Sequence, residues 1–446
     1  MKDYSVVELI RKTRDGKELT SEELAYLVKG FSEQSLPDYQ ISAWLMAVYL
    51  KGLSTKETFI LTKLMRESGE VLDWKKDNPA YRECFIVDKH SSGGIGDKVS
   101  FILLSLCASM GMKVPMMGGR GLGHTGGTVD KLDSISGFRS ELSIQEVRRA
   151  FEEVGCYIIG QSSSICPADK KLYSLRDVTG TIESLELITA SIVSKKWAEG
   201  LDAIVYDVKC GSAAFMTNLE DARRLAKSLV AVSKQAGMAA RALITHMEEP
   251  LGAFVGNSVE ILESLAILEN NYKTEKHQRL ALPLKNLCLD LAAHMAVLSG
   301  CGKDLAAMRS LAVEKLESGA AAKKFLAMLK IHGAHDGWEN KLPLGKNKFV
   351  LRATQSAGIT RIHSRTLGLV GITLGVGRRK TDDKLNYGIG FEMHVARGDM
   401  VSKGQELLTL YYDGSPDLAS IEQELSAMFV YGKAELRDNL IIEIVD

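Results

Sequence analysis

The 446-residue chain is predicted to be an α/β protein preceded by a helical segment and followed by a short α+β one. Three observations predict this. Helical patterning runs to about Ser68, and apolar strand-like runs then alternate with helical patterns from Cys84 to about Leu265. Short β segments take over near Phe349. Alternating strands and helices imply a mainly parallel sheet covered by helices.

The N-terminal segment starts with an apolar stripe, Val6, Val7, Leu9 and Ile10, that ends at Asp15-Gly16. Ser21-Glu22-Glu23 reads as a cap with acidic residues in the first turn. Pro37-Asp38 opens an apolar helix that runs through Ala43 to Tyr49 and stops at Gly52, and Ser54 with Glu57 forms a capping box for the next. Such apolar helices fit either a small helical core or a homodimer face. Ser68-Gly69-Glu70 and then Trp74 to Pro79 read as a crossing into a second domain.

Cys84 to Val87 is strand-like and leads into a glycine-rich turn, Asp88 to Asp97, with a helix from Val99 to Met110. Val114 to Met117 leads into a second such turn, Gly118 to Lys131. Glycines let the backbone turn sharply beside a ligand, and helix N-termini present unpaired N–H groups. Lys89, Ser91, Ser100 and Thr128 on these turns form a cradle for one phosphate-sized anion. The nucleotide-binding order G-x-x-x-x-G-K-[ST] is missing, because Gly96-Asp97-Lys98 interrupts it, and the dinucleotide spacing is missing too. The expected phosphate is therefore free or sugar-borne.

Further along come a helix (Gln145 to Val154), a strand (Cys156 to Gly160) and a polar stretch (Gln161 to Ser164). Helical patterns follow through Tyr173 to Asp177 and Leu187 to Lys196, then a buried strand, Ala203 to Val208. Leu219 to Gln235 reads as helix and Ala240 to Ile244 as strand, and a loop then passes into helix between Leu251 and Leu265. The turn-rich stretch Ala396 to Gln405 suits a flattened β-barrel of the kind that holds biotin or lipoate, but no attachment lysine accompanies it. A structural cap is expected there.

Lys+Arg 56 balances Asp+Glu 56, so no global field draws the chain to nucleic acid or an acidic membrane. The seven cysteines are scattered without a CxxC pair, which speaks against zinc and a disulfide framework and for a reducing cytoplasm. The start is too charged for a signal peptide, and the apolar run Phe101 to Met112 is shorter than the ~20 residues of a membrane span.

The loop Gly119-Arg120-Gly121-Leu122-Gly123-His124-Thr125-Gly126-Gly127-Thr128-Val129-Asp130-Lys131, with Asp88-Lys89-His90-Ser91 and Tyr173 to Asp177, resembles the thymidine and pyrimidine-nucleoside phosphorylase family over most of the chain. The resemblance implies a homodimer, formed through the N-terminal helices, of two-lobed subunits. Residues 1–70, completed by about 165–197, would form the helical lobe. Residues 71–345 would form the α/β lobe, and 346–446 a C-terminal α+β or flattened-barrel segment. It further implies reversible phosphorolysis of pyrimidine nucleosides, with phosphate held by Lys89, Ser91, Ser100 and Thr128. Arg176, Ser191 and Lys195 would hold the base edge, with Tyr173 and His90 lining the pocket. His90, Arg176 and Lys195 are the expected catalytic groups, and His124 is expected to brace its loop.

The residues suit that chemistry. A departing pyrimidine carries negative charge on its carbonyl oxygens, which Arg176 and Lys195 can meet. Ser191 and Lys195 are four apart and share a helix face. Three departures stand out. Relatives usually carry serine at Gly118, so one hydroxyl to phosphate is missing. Met116 occupies a position near the sugar 2′ carbon where relatives that accept uridine carry lysine, so thymidine and deoxyuridine are expected over uridine. Some relatives hold a metal cation near the positions of Gly96, Lys98, Leu251 and Glu263. Lys98 is expected to set its own ammonium near Glu263 instead, so no metal or cofactor is expected and phosphate is a co-substrate. The alternatives are a broad pyrimidine-nucleoside phosphorylase, an anthranilate-type phosphoribosyltransferase, and a non-enzymatic nucleoside-binding protein.

Overall fold

Four helices open the chain: α1 (Val6–Arg14), α2 (Ser21–Ser32), α3 (Asp38–Lys51) and α4 (Thr55–Glu67). This is a computed structural model that describes residues 3–121, 126–161, 164–378, 383–433 and 439–446. The Ser54–Glu57 capping box starts α4 as expected. The cap of α2 lies one residue earlier than expected. Thr20 accepts from the Glu23 N–H while the Glu23 carboxylate accepts from the Thr20 N–H, which makes Ser21 the first helical residue. Ile41, Trp44, Leu45 and Val48 on α3 bury themselves among Leu24, Leu27 and Phe31.

A short turn of helix, α5 (Trp74–Asp77), leads into β1 (Val87–Ser91), α6 (Val99–Ser109), β2 (Val114–Met117), α7 (Thr128–Leu132), α8 (Ile144–Glu153) and β3 (Cys156–Ile159). The chain then returns to the helical lobe as α9 (Pro167–Thr179) and α10 (Leu185–Ala198), whose Ala168, Leu172 and Leu187 complete that lobe's core. The crossings are tied together: Glu70 N–H donates to Ser164 O, Leu72 N–H to Ala198 O, and the Trp74 indole to Glu199 O.

The α/β lobe continues with β4 (Ala203–Cys210), α11 (Leu219–Gln235), β5 (Ala239–His246), β6 (Phe254–Gly256), α12 (Ser258–Leu268), α13 (Glu275–Ser299), α14 (Leu305–Glu317) and α15 (Ala320–Ile331). β1, β4 and β5 are parallel neighbours, β2 and β3 form a second parallel pair, and an Ile86–Lys113 bridge links the two sets. Helix α6 is apolar on all sides, and Phe101 to Leu104 are fully buried because α13 and α15 pack over it. Helix α13 is long and apolar enough to span a membrane, yet 67% of its most apolar stretch is buried in this core. It is a core helix whose length the sequence reading did not anticipate.

The C-terminal part contains β7 (Asn347–Arg352), β8 (Ala357–Ile362), α16 (Arg365–Leu374), β9 (Gly390–Met393), β10 (Met400–Val401), β11 (Glu406–Tyr412), α17 (Leu418–Ala427), β12 (Phe429–Gly432) and β13 (Ile441–Val445). Two small sheets, β6-β9-β11-β7 and β10-β8-β12, carry it, while β13 returns to pair antiparallel with β5 in the main sheet.

One boundary differs from expectation in a way that matters for the site. Asp88 to Ser91, read as turn, form the body of β1, in register with Ile204 to Asp207 of β4. A buried aspartate and lysine are tolerated there because each has a partner, as described below. His124, Thr125, Ser162 and Ser163 lie outside the described residues.

Candidate active site

β1 delivers Lys89, His90 and Ser91 to the C-terminal edge of the parallel sheet, where ligands of such sheets bind. Lys89 is 2% exposed and donates to Ser100 Oγ at 2.9 Å, which joins the strand to the first turn of α6. Ser91 donates to Asp97 at 2.5 Å and accepts from the Gly93 N–H. Asp97 also caps Val99, and Lys131 donates to its backbone carbonyl. Burial works against the Asp97 carboxylate. The ammonium groups of Lys209 and Lys89, with the Ser91 bond and Lys131, outweigh it and hold the carboxyl well below its usual range.

Thr128, first residue of α7, stands directly beside Gly118: a Cβ at 118 would lie 3.3 Å from the Thr128 Cβ. The glycine therefore makes room for the Thr128 side chain. Asp130 accepts from the Gly121 N–H, from Arg120 and, from the C-terminal segment, from Arg378. Met116 sits on β2 at 2% exposure, packed in the main core.

On the helical lobe, Ser191 and Lys195 meet as the four-residue spacing implies, with Lys195 Nζ 2.9 Å from Ser191 Oγ. The same ammonium bonds Asp169 on α9, a partner that sequence reasoning missed. Asp169 lies in the first turn of α9, and the cation that pairs with it comes from α10, so no local pattern marks it. It is 1% exposed, and its second oxygen has no partner among the described residues. Tyr173 lies partly buried one turn along α9, and desolvation pushes its hydroxyl up to about 12.

Arg176 has backbone partners that sequence reasoning missed. The residue is 2% exposed, and its guanidinium donates to the carbonyls of Thr181, Leu187 and Ile182. It thereby ties α9 to the start of α10, leaving two of its five N–H donors for anything else.

The junction of the lobes carries a buried charge cluster. Lys196, 1% exposed, bonds Asp88 on β1, Glu199, and the carbonyl of Met117 on β2. Desolvation raises both carboxyls, most strongly Glu199, which also faces the Asp88 charge, while Lys196 pulls both back down. His90 stands at this junction. Burial and the charges of Lys196, Lys195 and Lys89 lower its pKa well below 6.5, so the imidazole is neutral at neutral pH. Beyond β1, Lys209 bonds Asp207 and Thr245 in a second fully buried group.

At the base of the first loop, the Lys98 ammonium donates to Leu251 O, Phe254 O and Glu263 Oε2, each at 2.7 Å. All three of its N–H donors are used. Among the described residues, no group of three or more His, Cys, Asp or Glu is arranged to hold a metal elsewhere. A separate cavity of about 510 Å³ is lined by Ser212, Thr217, Glu248, Arg361, His363 and Arg365. None of the expected site residues line it.

Family models match three parts of the chain. A glycosyl transferase family helical bundle domain covers residues 7–69, the a/b domain of that family covers 83–322, and a pyrimidine nucleoside phosphorylase C-terminal domain covers 358–432. A pyrimidine-nucleoside phosphorylase of Staphylococcus epidermidis is 39% identical over 409 residues, spanning 91% of this chain and 92% of that one. A thymidine phosphorylase of Mesorhizobium japonicum is 39% identical over 432 residues, 96% of each chain. The anthranilate phosphoribosyltransferase of Thermus thermophilus shares the fold, with a TM-score of 0.53 at 19% identity over 72% of this chain and 98% of that one. The chain belongs to the glycosyl transferase family that contains the pyrimidine-nucleoside and thymidine phosphorylases, and it catalyses phosphorolysis of pyrimidine nucleosides.

Proposed function

We propose that this phosphorylase favours 2′-deoxynucleosides, thymidine and deoxyuridine, over uridine. The observation that carries the reading is Met116, buried at 2% exposure with a thioether that offers a 2′-hydroxyl no strong partner. Leaving that hydroxyl poorly satisfied costs ~1–3 kcal/mol, which is roughly 5- to 150-fold in kcat/KM.

In this reading phosphate lies against Lys89, Ser91, Ser100 and Thr128, and Ser91 turns its proton from Asp97 to a phosphate oxygen. A phosphate oxygen forms the new bond to C1′ as the C1′–N1 bond breaks, and the bonding pair leaves with the base. Lys195, Ser191 and the remaining donors of Arg176 receive that charge at the pyrimidine edge, and neutral His90 donates a hydrogen bond to a ring carbonyl. The phosphate dianion is the nucleophile, so a β-nucleoside gives an α-sugar 1-phosphate. Closure about the crossings near residues 68–73 and 196–200 brings the two groups of ligands together.

The same proposal includes a homodimer through α3, where Tyr39, Met46 and Leu50 are 74%, 37% and 69% exposed on one face. Seven free cysteines suit a reducing cytoplasm. Steady-state kcat/KM for deoxyuridine and uridine, measured side by side, isolates the 2′ group because the bases are identical. Equal values would remove the Met116 reading and leave a broad pyrimidine-nucleoside phosphorylase.

A further inference from the structure

Lys98 is completely buried, and its ammonium sits in a cage of oxygens that the surrounding chain is shaped to form. Two glycines make the cage possible. Gly96, at φ +71°, lets the first loop press on Leu251, whose carbonyl a Cβ would approach to 2.9 Å. Gly252, at φ +80°, lets the Glu263 carboxylate approach, where a Cβ would meet both of its oxygens at 2.6 Å. Glu263 in turn accepts from the N–H groups of Ala253 and Phe254, so its orientation is fixed. Two carbonyls and one oriented carboxylate converging on a single point are the donor set of a monovalent cation site.

We propose that Lys98 is the resident cation of this site, so that the enzyme is independent of monovalent metal ions. Lys98 immediately precedes α6, and Ser100 in the first turn of α6 accepts from Lys89. The caged ammonium therefore pins the start of α6 to the 251–254 loop and to α12, and it positions Ser100 and Lys89 without touching substrate. An ammonium group and a potassium ion are nearly the same size, so removing the side chain while keeping the cage creates a potassium site.

The test compares wild type, Lys98→Ala and Lys98→Met at constant ionic strength in potassium, sodium and choline chlorides. Thermal unfolding is the first readout. Wild type is expected to melt at the same temperature in all three salts. Lys98→Ala is expected to melt several degrees lower in choline and to recover in potassium by ligand-linked stabilisation. Lys98→Met fills the cage without charge and is expected to show no recovery. The second readout is kinetic: Lys98→Ala in choline is expected to raise KM for phosphate about tenfold or more, as loss of a charged hydrogen-bond anchor does, and potassium is expected to reverse it. If Lys98→Ala is soluble only when prepared in potassium, that is itself the recovery. A wild type that gains stability or turnover from potassium would overturn the proposal. So would a Lys98→Ala protein that responds equally to potassium and choline. The melting readout does not depend on where phosphate binds, so failure of the phosphate assignment would be seen separately, as cation-dependent melting with unchanged KM.

Discussion

Replacing Lys195 with methionine separates a catalytic role from a structural one, because its ammonium holds two partners of different kinds. One is Ser191 Oγ at 2.9 Å and the other is Asp169, whose second oxygen is buried and unpaired among the described residues. Removing a donor aimed at developing negative charge costs ~3–4 kcal/mol, or about 10²–10³ in kcat. Removing one partner of a buried ion pair destabilises the fold by ~3–5 kcal/mol when both groups are fully desolvated. The Lys195 side chain keeps 16% exposure, so the lower end of that range applies. Lys195→Met should therefore lose both activity and several degrees of melting temperature. Adding Asp169→Asn removes the stranded carboxylate, so the double variant should regain most of the stability and none of the kcat. Phosphorolysis kinetics and urea unfolding of the two single variants and the double variant complete the cycle. Near-wild-type kcat/KM in Lys195→Met, or recovery of activity with stability in the double variant, would refute the reasoning.

Three further outcomes are expected. Gly118→Ser restores a hydroxyl beside Thr128, whose Cβ would lie 3.3 Å away and must give slightly; KM for phosphate should fall about threefold or more, and an unchanged or higher KM would contradict the cradle. His90 is held below 6.5 by burial and by the charges of Lys196, Lys195 and Lys89. Its neutral form is favoured in the folded state, so its contribution to stability is present above pH 6.5 and is lost as pH falls through the lowered value. An NMR titration midpoint for His90 at or above 6.5 would contradict that placement. Leu50→Glu, at 69% exposure on α3, should convert a dimer to a monomer in sedimentation without loss of fold; a wild type that sediments as a monomer would remove the dimer.

Local signals carried most of the fold. The Ser54–Glu57 box, the Gly52 stop and the 219–235 helix stand where helical periodicity and capping place them. Two local groupings were legible for the same reason: Lys89, Ser91 and Ser100 lie within one strand–turn–helix unit, and Ser191 and Lys195 lie one helical turn apart and meet. What escaped notice joins distant parts of the chain. Asp88 and Lys196 are 108 residues apart, Asp130 and Arg378 are 248 apart, and only the tertiary fold brings them together. Arg176 shows a different limit: the family resemblance implied a donor to substrate, and only the structure reveals that the carbonyls of residues 181, 182 and 187 take three of its N–H groups. Asp88 to Ser91 read as turn because charged residues are rare in buried parallel strands, and the Lys196 ammonium that compensates Asp88 comes from another lobe.

The most direct test of the proposed chemistry is to follow thymidine and phosphate by proton and phosphorus NMR. In-line attack by phosphate, with Lys195 and its neighbours receiving the charge on the base, predicts that thymine appears only when phosphate is consumed, mole for mole, with 2-deoxy-α-D-ribose 1-phosphate as the first sugar product. Thymine released without phosphate, or a β-configured sugar phosphate, would contradict it.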